Sequence, residues 1–290
     1  MIRPATRRRA CVAVAAAAAA VLTACTAHSA APPRAQPPTS VPPAHLSHDL
    51  PDDAVRMVLP ATGAETRWTQ GLDVFVQQVE RAAAASCARE RGAGLPEQVP
   101  LAFIRYFELP DLDFIARHGT SASAEVPYPV ASPAATGAGS SAVIRRCTAE
   151  GRAAAGVLRD AYVDLQGQWF RELTALRGDP ETVRATRTVP DCFAGHGIRA
   201  RDENGFFALA DTVMQTAAPA ELPRAGRALG SAYAACMRPV EAVREPARLR
   251  LRTRFLTDHA DDVREMRESL VPSLRRAEKE YGVRLAFPAP

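Results

Sequence analysis

Lysine is nearly missing from this chain: of 36 Lys and Arg side chains, only Lys279 is a lysine. That scarcity removes whole classes of chemistry. A phosphate loop of the Gly-Lys-Ser/Thr kind and the Ser-x-x-Lys of penicillin-binding enzymes both need a lysine where there is none. A Schiff base would have to form on Lys279, which stands in the charged run Arg275-Arg276-Ala277-Glu278-Lys279-Glu280. There is also no G-x-S-x-G elbow, no H-E-x-x-H pair, no EF-hand loop and no C-x2-C spacing of the zinc-ribbon type. Thr136-Gly137-Ala138-Gly139-Ser140 carries glycine but follows no strand, so it reads as loop. No cofactor and no metal ion is expected. β-Branched residues are scattered, and no alternating run is bracketed by hairpin turns. Beyond residue 24, no apolar run approaches the ~18 residues of a membrane-spanning helix.

What is present begins at the N-terminus. Arg3, Arg7, Arg8 and Arg9 precede an apolar run from Ala10 to Leu22, and no acid occurs before Asp49. As a helix the run would cover roughly 20 Å, short of the ~30 Å hydrocarbon core, so it reads as an export signal rather than a permanent span. Thr6-Arg7-Arg8-Arg9 is a partial twin-arginine pattern. The run ends in Leu22-Thr23-Ala24-Cys25, with one aliphatic residue, two small ones and a cysteine. In that order the residues resemble the lipobox of bacterial lipoproteins. The resemblance implies cleavage before Cys25, a diacylglycerol thioether on its sulfur and often a further N-acyl chain. The chain would then sit on the extracytoplasmic face of the cell membrane, held by the lipid on Cys25.

Removal of residues 1–24 takes away four arginines and no acids, leaving 32 basic against 32 acidic side chains. The pI near 8.9 therefore mostly reflects the discarded segment. It carries no expectation of a nucleic-acid partner, which needs a basic face on the mature domain.

Residues 25–65 read as a lipid-anchored, disordered tether. Pro32, Pro33, Pro37, Pro38, Pro42, Pro43, Pro51 and Pro60 stand among Ala, Ser and Thr, which favours extended chain over helix. Residues 66–290 read as one all-α domain, an irregular helical bundle. Trp68, Leu72, Phe75, Val76, Val79 and Ala83 recur at steps of three and four, marking a helix that ends near Gly92. Asp111 opens a short helix to His118. A long helix from Ala142 to Arg177, loosened at Gly151 and Gly156, carries Val157, Ala161, Leu165, Trp169, Leu173 and Leu176. Asp179-Pro180-Glu181 has the order of an N-cap, a first-turn proline and a first-turn acid, and starts a helix through Cys192 with a kink at Pro190. Residues 203–217 and 224–237 supply two more helices. The last element begins near Pro246 and closes at Tyr281-Gly282, with Leu249, Leu256, Val263 and Leu270 at steps of seven. Arg248 to Phe255 alternates with period two but lies within that helical stripe.

Cys87, Cys147, Cys192 and Cys236 are an even set in an oxidising compartment, so two disulfides are expected. The pairings Cys87–Cys147 and Cys192–Cys236, each joining helices close in sequence, are favoured, each worth roughly 4 kcal/mol of loop-closure entropy. Two other connectivities remain open. Cys192 to Gly197, Ala234-Ala235-Cys236-Met237 and the long charged helix after them resemble a group of secreted or lipid-anchored helical proteins of actinomycete-type bacteria. That resemblance implies a fold and no activity.

Candidate chemistry is thin. His28, His45 and His48 fall in the tether, and His118 abuts a capping glycine. His196 follows Cys192 by one turn, a spacing that suits a ligand pair but equally a histidine beside a disulfide. His259 lies among Asp258, Asp261 and Asp262, as an acid–base cluster would, or as a solvated helix face. Arg248, Arg250, Arg252 and Arg254 spread over two helix flanks, so they form no single basic stripe. Phe103-Ile104-Arg105-Tyr106-Phe107 is needed first as core. The expectation is a non-enzymatic binding, scaffold or sensor module of the cell envelope, whose partner is an envelope protein or cell-wall polymer. The alternative is an extracytoplasmic hydrolase acting on envelope material through His196 or His259.

Overall fold

The apolar stripes of the sequence lie on helices. A computed structural model describes residues 45–95, 109–120 and 140–289. In chain order the helices are α1 (Val55–Val58), α2 (Thr66–Glu90), α3 (Leu112–His118), α4 (Ser141–Arg159), α5 (Val163–Ala175), α6 (Pro180–Thr186), α7 (Val189–Gly195), α8 (Glu203–Thr216), α9 (Leu222–Asp258) and α10 (Ala260–Tyr281). Two strands, β1 (His45–Ser47) and β2 (Phe287–Ala289), pair antiparallel with Leu46 opposite Pro288. The fold is all-α apart from this small ribbon.

Local chemistry explains several boundaries. Asp179 caps α6, accepting from the backbone N–H groups of Glu181 and Thr182 at 3.1 and 3.0 Å, with Pro180 in the first turn. Asp111 and Asp202 cap α3 and α8 in the same way. Gly92 follows α2 in the left-handed region at φ 63°, where a side chain would be strained.

Four boundaries differ from the sequence reading. Residues 45–65 belong to the fold and not to the tether, because Val55, Met57, Val58, Leu59 and Ala61 are all buried. Proline content marked them as extended chain, but apolar content decided their fate. The long helix over 142–177 is two helices, interrupted between Asp160 and Tyr162, where Tyr162 turns into the core. Neither Gly151 nor Gly156 interrupts α4. The kink expected at Pro190 is instead a break between α6 and α7, with Pro190 in the first turn of α7.

The fourth difference is the largest. α9 runs unbroken through Pro239 and Pro246, and the chain breaks at His259. Each proline deprives one carbonyl, four residues earlier, of its helical donor. Ala235 and Ala242 carry those carbonyls and, like both prolines, lie on the exposed side of α9, open to solvent. The break at His259 resets the helical phase. In α10 Val263 and Leu270 are buried as expected, with Met266 and Leu274 beside them, but from residue 248 to the end of α9 the buried positions are Arg248, Leu251 and Phe255, while Leu249 is 37% exposed.

The described residues form one compact unit with two separate main cores. The first gathers α1, α2, α4, α5, α10, the C-terminal half of α9 and the segment ending in Phe287, around Trp169, Phe75, Leu72 and Leu270. The second gathers α3, α7, α8 and the N-terminal half of α9 around Phe193, Phe206, Phe207 and Tyr233. Helices approach closely at two glycines. A Cβ on Gly151 would lie 2.3 Å from the Glu80 carbonyl oxygen of α2, and one on Gly230 would lie 2.2 Å from that of Ile115 in α3. Both disulfides form with the favoured pairing, Cys87–Cys147 joining α2 to α4 and Cys192–Cys236 joining α7 to α9.

Candidate functional site

The densest polar cluster lies along α9 where the two cores meet. Tyr233, Met237, Val240, Glu241, Arg244, Arg248, Leu251, Arg252 and Phe255 recur at steps of three and four, so one face of α9 is apolar, then charged, then apolar again. The charged middle is paired throughout. The Tyr233 hydroxyl donates to Glu203 Oε1 from α8. Arg244 Nη1 stands 3.5 Å from both Glu203 Oε2 and Glu241 Oε1. Arg248 Nη2 donates to Glu241 Oε2, and Arg252 Nη1 donates to Glu65 Oε2 at 2.6 Å.

The same side chains hold the segment before α2. Arg252 donates to the carbonyl of Leu59 at 3.3 Å, Trp169 Nε1 to that of Pro60 at 2.8 Å, and Arg248 Nε to that of Ala61 at 2.9 Å. Glu65 Oε2 accepts from the N–H of Ala61 at 2.8 Å and of Thr62 at 3.3 Å. A buried irregular segment must find partners for its backbone groups, and here α5 and α9 supply them. Pro60, expected in a tether, is therefore a fixed part of the interior.

Burial sets the electrostatics. Desolvation raises the Glu203 carboxyl above its ordinary value, against the opposing pull of the Tyr233 hydroxyl and Arg244. Desolvation and the neighbouring Glu203 push Tyr233 well above the usual phenol range. A carboxyl raised by burial beside a phenol and a guanidinium has the composition of an acid–base site. Yet every oxygen of Glu203 and Glu241 already has a partner within the chain. The cluster ties the cores together, and no histidine joins it among the described residues.

The residues singled out from sequence fall in several places. Cys25, His28 and Phe103 to Phe107 lie outside the described residues. His45 is in β1, and His48 Nδ1 is 2.7 Å from the Leu285 carbonyl oxygen. The His118 ring packs 4.7 Å from Phe114, and burial with the adjacent Arg117 holds its pKa below the ordinary imidazole value. The His259 ring lies 4.2 Å from Phe255, and its Nδ1 is 3.6 Å from Asp262 Oδ2. Asp261 pairs instead with Arg264, so the acids around His259 do not converge on it. Arg248 and Arg252, two of the four arginines spread over the helix flanks, are interior ion-pair residues, because their charges find partners on Glu241 and Glu65. Arg250 and Arg254 remain exposed.

His196 stands apart. Its ring and the sulfurs of Cys192 and Cys236 offer donor atoms within 4.8 Å of one another. The two sulfurs are bonded to each other, and a disulfide sulfur is not the thiolate that ligates a metal.

Sequence reasoning missed Glu65, Glu203, Tyr233, Glu241 and Arg244. The available signal was the three-and-four stepping of Glu241, Arg244, Arg248 and Arg252 in continuation of Tyr233 and Met237. Compared with protein-family models, curated proteins and solved structures, the chain matches none.

Proposed function

We propose that this chain is a lipid-anchored cell-envelope protein whose helical domain serves as a binding, scaffold or sensor module rather than an enzyme. The observation that carries the reading is the cysteine pairing. The four cysteines after Cys25 are consumed in two bridges, which suits an extracytoplasmic compartment and leaves Cys25, at the end of the apolar run, for acylation. The domain starting at His45 also shortens the link to the anchor. Residues 26–44 can reach about 60 Å at full extension, half of what a tether ending at residue 65 would allow. The internally satisfied cluster on α9 supports a structural role for the buried charges. An envelope protein or cell-wall polymer is the proposed partner.

Metabolic labelling with an acyl-chain probe tests the anchor. Label should appear on the wild type and vanish in Cys25→Ser, and label that persists in the variant sinks the proposal. The alternative is an extracytoplasmic hydrolase. Hydrolysis of envelope material by the purified protein, abolished by His259→Ala, would replace the binding-module reading.

A further inference from the structure

The two disulfides have different surroundings. Cys87 and Cys147 are both buried, and their cationic neighbour Arg91 donates to Cys87 Sγ at 3.0 Å. A guanidinium offers no lone pair to a cation. At the other bridge Cys236 is buried, but Cys192 is half-buried and His196 is exposed. His196 forms the C-cap of α7, one helical turn after Cys192, and its imidazole lies within 4.8 Å of both sulfurs. Two sulfurs and an imidazole from two helices thus meet at an accessible edge of the second core.

We propose that reduction of Cys192–Cys236 turns this corner into a site for a thiophilic cation of the Zn²⁺ class, ligated by Cys192 Sγ, Cys236 Sγ and a ring nitrogen of His196. The reductant is a dithiol. Its first thiolate attacks the accessible Cys192 sulfur, breaking the S–S bond and releasing Cys236 as a thiolate. Its second thiolate then displaces Cys192 and leaves as a disulfide, so two electrons pass to the protein sulfurs. Each protein thiol gives up its proton to solvent when the cation binds. Zn–S and Zn–N lengths of ~2.3 and ~2.0 Å at tetrahedral angles call for donors about 3.5–4 Å apart. The Cα atoms of Cys192 and Cys236 are 5.6 Å apart, so side-chain rotation suffices to bring both thiolates and the imidazole around one ion. Three protein donors leave the fourth position to water, as in open zinc sites.

The full-length protein is treated with a dithiol until alkylation and intact mass show two free thiols, located by peptide mapping. It is then titrated with Cd²⁺, followed by thiolate-to-metal charge-transfer absorption, and with Zn²⁺ against a chromophoric chelator. The expected result is one equivalent bound by the reduced form and none by the oxidised form. His196→Ala is exposed and outside the core, and should weaken binding by about tenfold or more, since even outer-shell losses cost ~10–100-fold. The proposal is overturned if Cys87–Cys147 opens first, if two free thiols at 192 and 236 give no charge-transfer band, or if reduced His196→Ala binds as tightly as the parent.

Discussion

The first core is built from long helices and mostly aliphatic side chains, whereas the second is built from short helices around a cluster of rings. In the second, Phe193 stacks on Phe206 at 4.9 Å, and Tyr233 meets Phe206 and Phe207 at 5.0 Å each. α7 is too short to be stable alone, so large aromatic surfaces and the Cys192–Cys236 bridge hold it. The first core draws instead on the extended contact of α2 with α4 and on the stripe of α10. The two share α9, and at the junction the buried surface changes from apolar to ionic. Large and small helices thus reach the same end by different means: area along a stripe in one core, rings and a covalent staple in the other.

The junction is the place to break that arrangement. Arg248→Met leaves Glu241 and the Ala61 carbonyl short of a buried partner and should cost about 3–5 kcal/mol. Both tryptophans, Trp68 and Trp169, belong to the first core, so their fluorescence reports it alone while far-UV circular dichroism reports both. In urea the two signals should coincide for the wild type and separate for Arg248→Met, with fluorescence changing first. A loss below about 1 kcal/mol would mean that the ion pairs do not couple the cores.

Removing one staple at a time sharpens the contrast. Cys192→Ala/Cys236→Ala should cost about 2–4 kcal/mol and should loosen the second core selectively, seen as faster amide exchange in α7 and α8 than in α2 and α4. Uniform acceleration across both cores would contradict this. Next in size, Leu251→Ala should cost about 2–3 kcal/mol, while Leu249→Ala should stay within about 0.5 kcal/mol. Equal effects in thermal melts would restore the seven-residue seam across α9.

The smallest effects concern pH, and the two cores should respond with opposite signs. Burial raises the Glu203 carboxyl above 4.5, so the folded state binds the proton more tightly than the unfolded chain. Stability from this group is full below the unfolded pKa and declines as pH rises through the folded one. Asp53, in front of α1, is lowered from 3.8 chiefly by its hydrogen bond from Arg267. Its contribution is present above 3.8 and is lost as pH falls through the depressed value. Urea midpoints stepped through acidic pH should show a flatter decline on the rising side in Glu203→Gln and a smaller acid loss in Asp53→Asn. A slope unchanged in either variant would remove that residue from the account.

Legibility followed the range of the interaction concerned. The caps at Asp111 and Asp179, the turn at Gly92 and the inward face of α2 were readable because each depends on residues within a turn or two. Disulfide pairing was favoured on sequence proximity, and it holds. The start of the fold was not readable. Pro51 and Pro60 lie in a stretch that looks extended, and only the carbonyl partners offered by Trp169, Arg248 and Arg252, more than a hundred residues away, make it interior. The candidate site failed to appear for the same reason, since Glu65, Glu203 and Glu241 come from three separate elements.

By itself, the sequence determined the all-α class, the lack of phosphate-loop and Ser-x-x-Lys lysines, the even cysteine set suited to disulfides and the expectation of an anchor at Cys25. These rest on composition, short motifs and local periodicity, which act without tertiary neighbours. The tertiary structure alone decided that α9 passes straight through two prolines, that the chain divides its apolar residues between two cores, and that arginines 248 and 252 are interior. A buried charge needs a partner and a buried proline carbonyl needs a donor, and in this protein those partners arrive from distant parts of the chain.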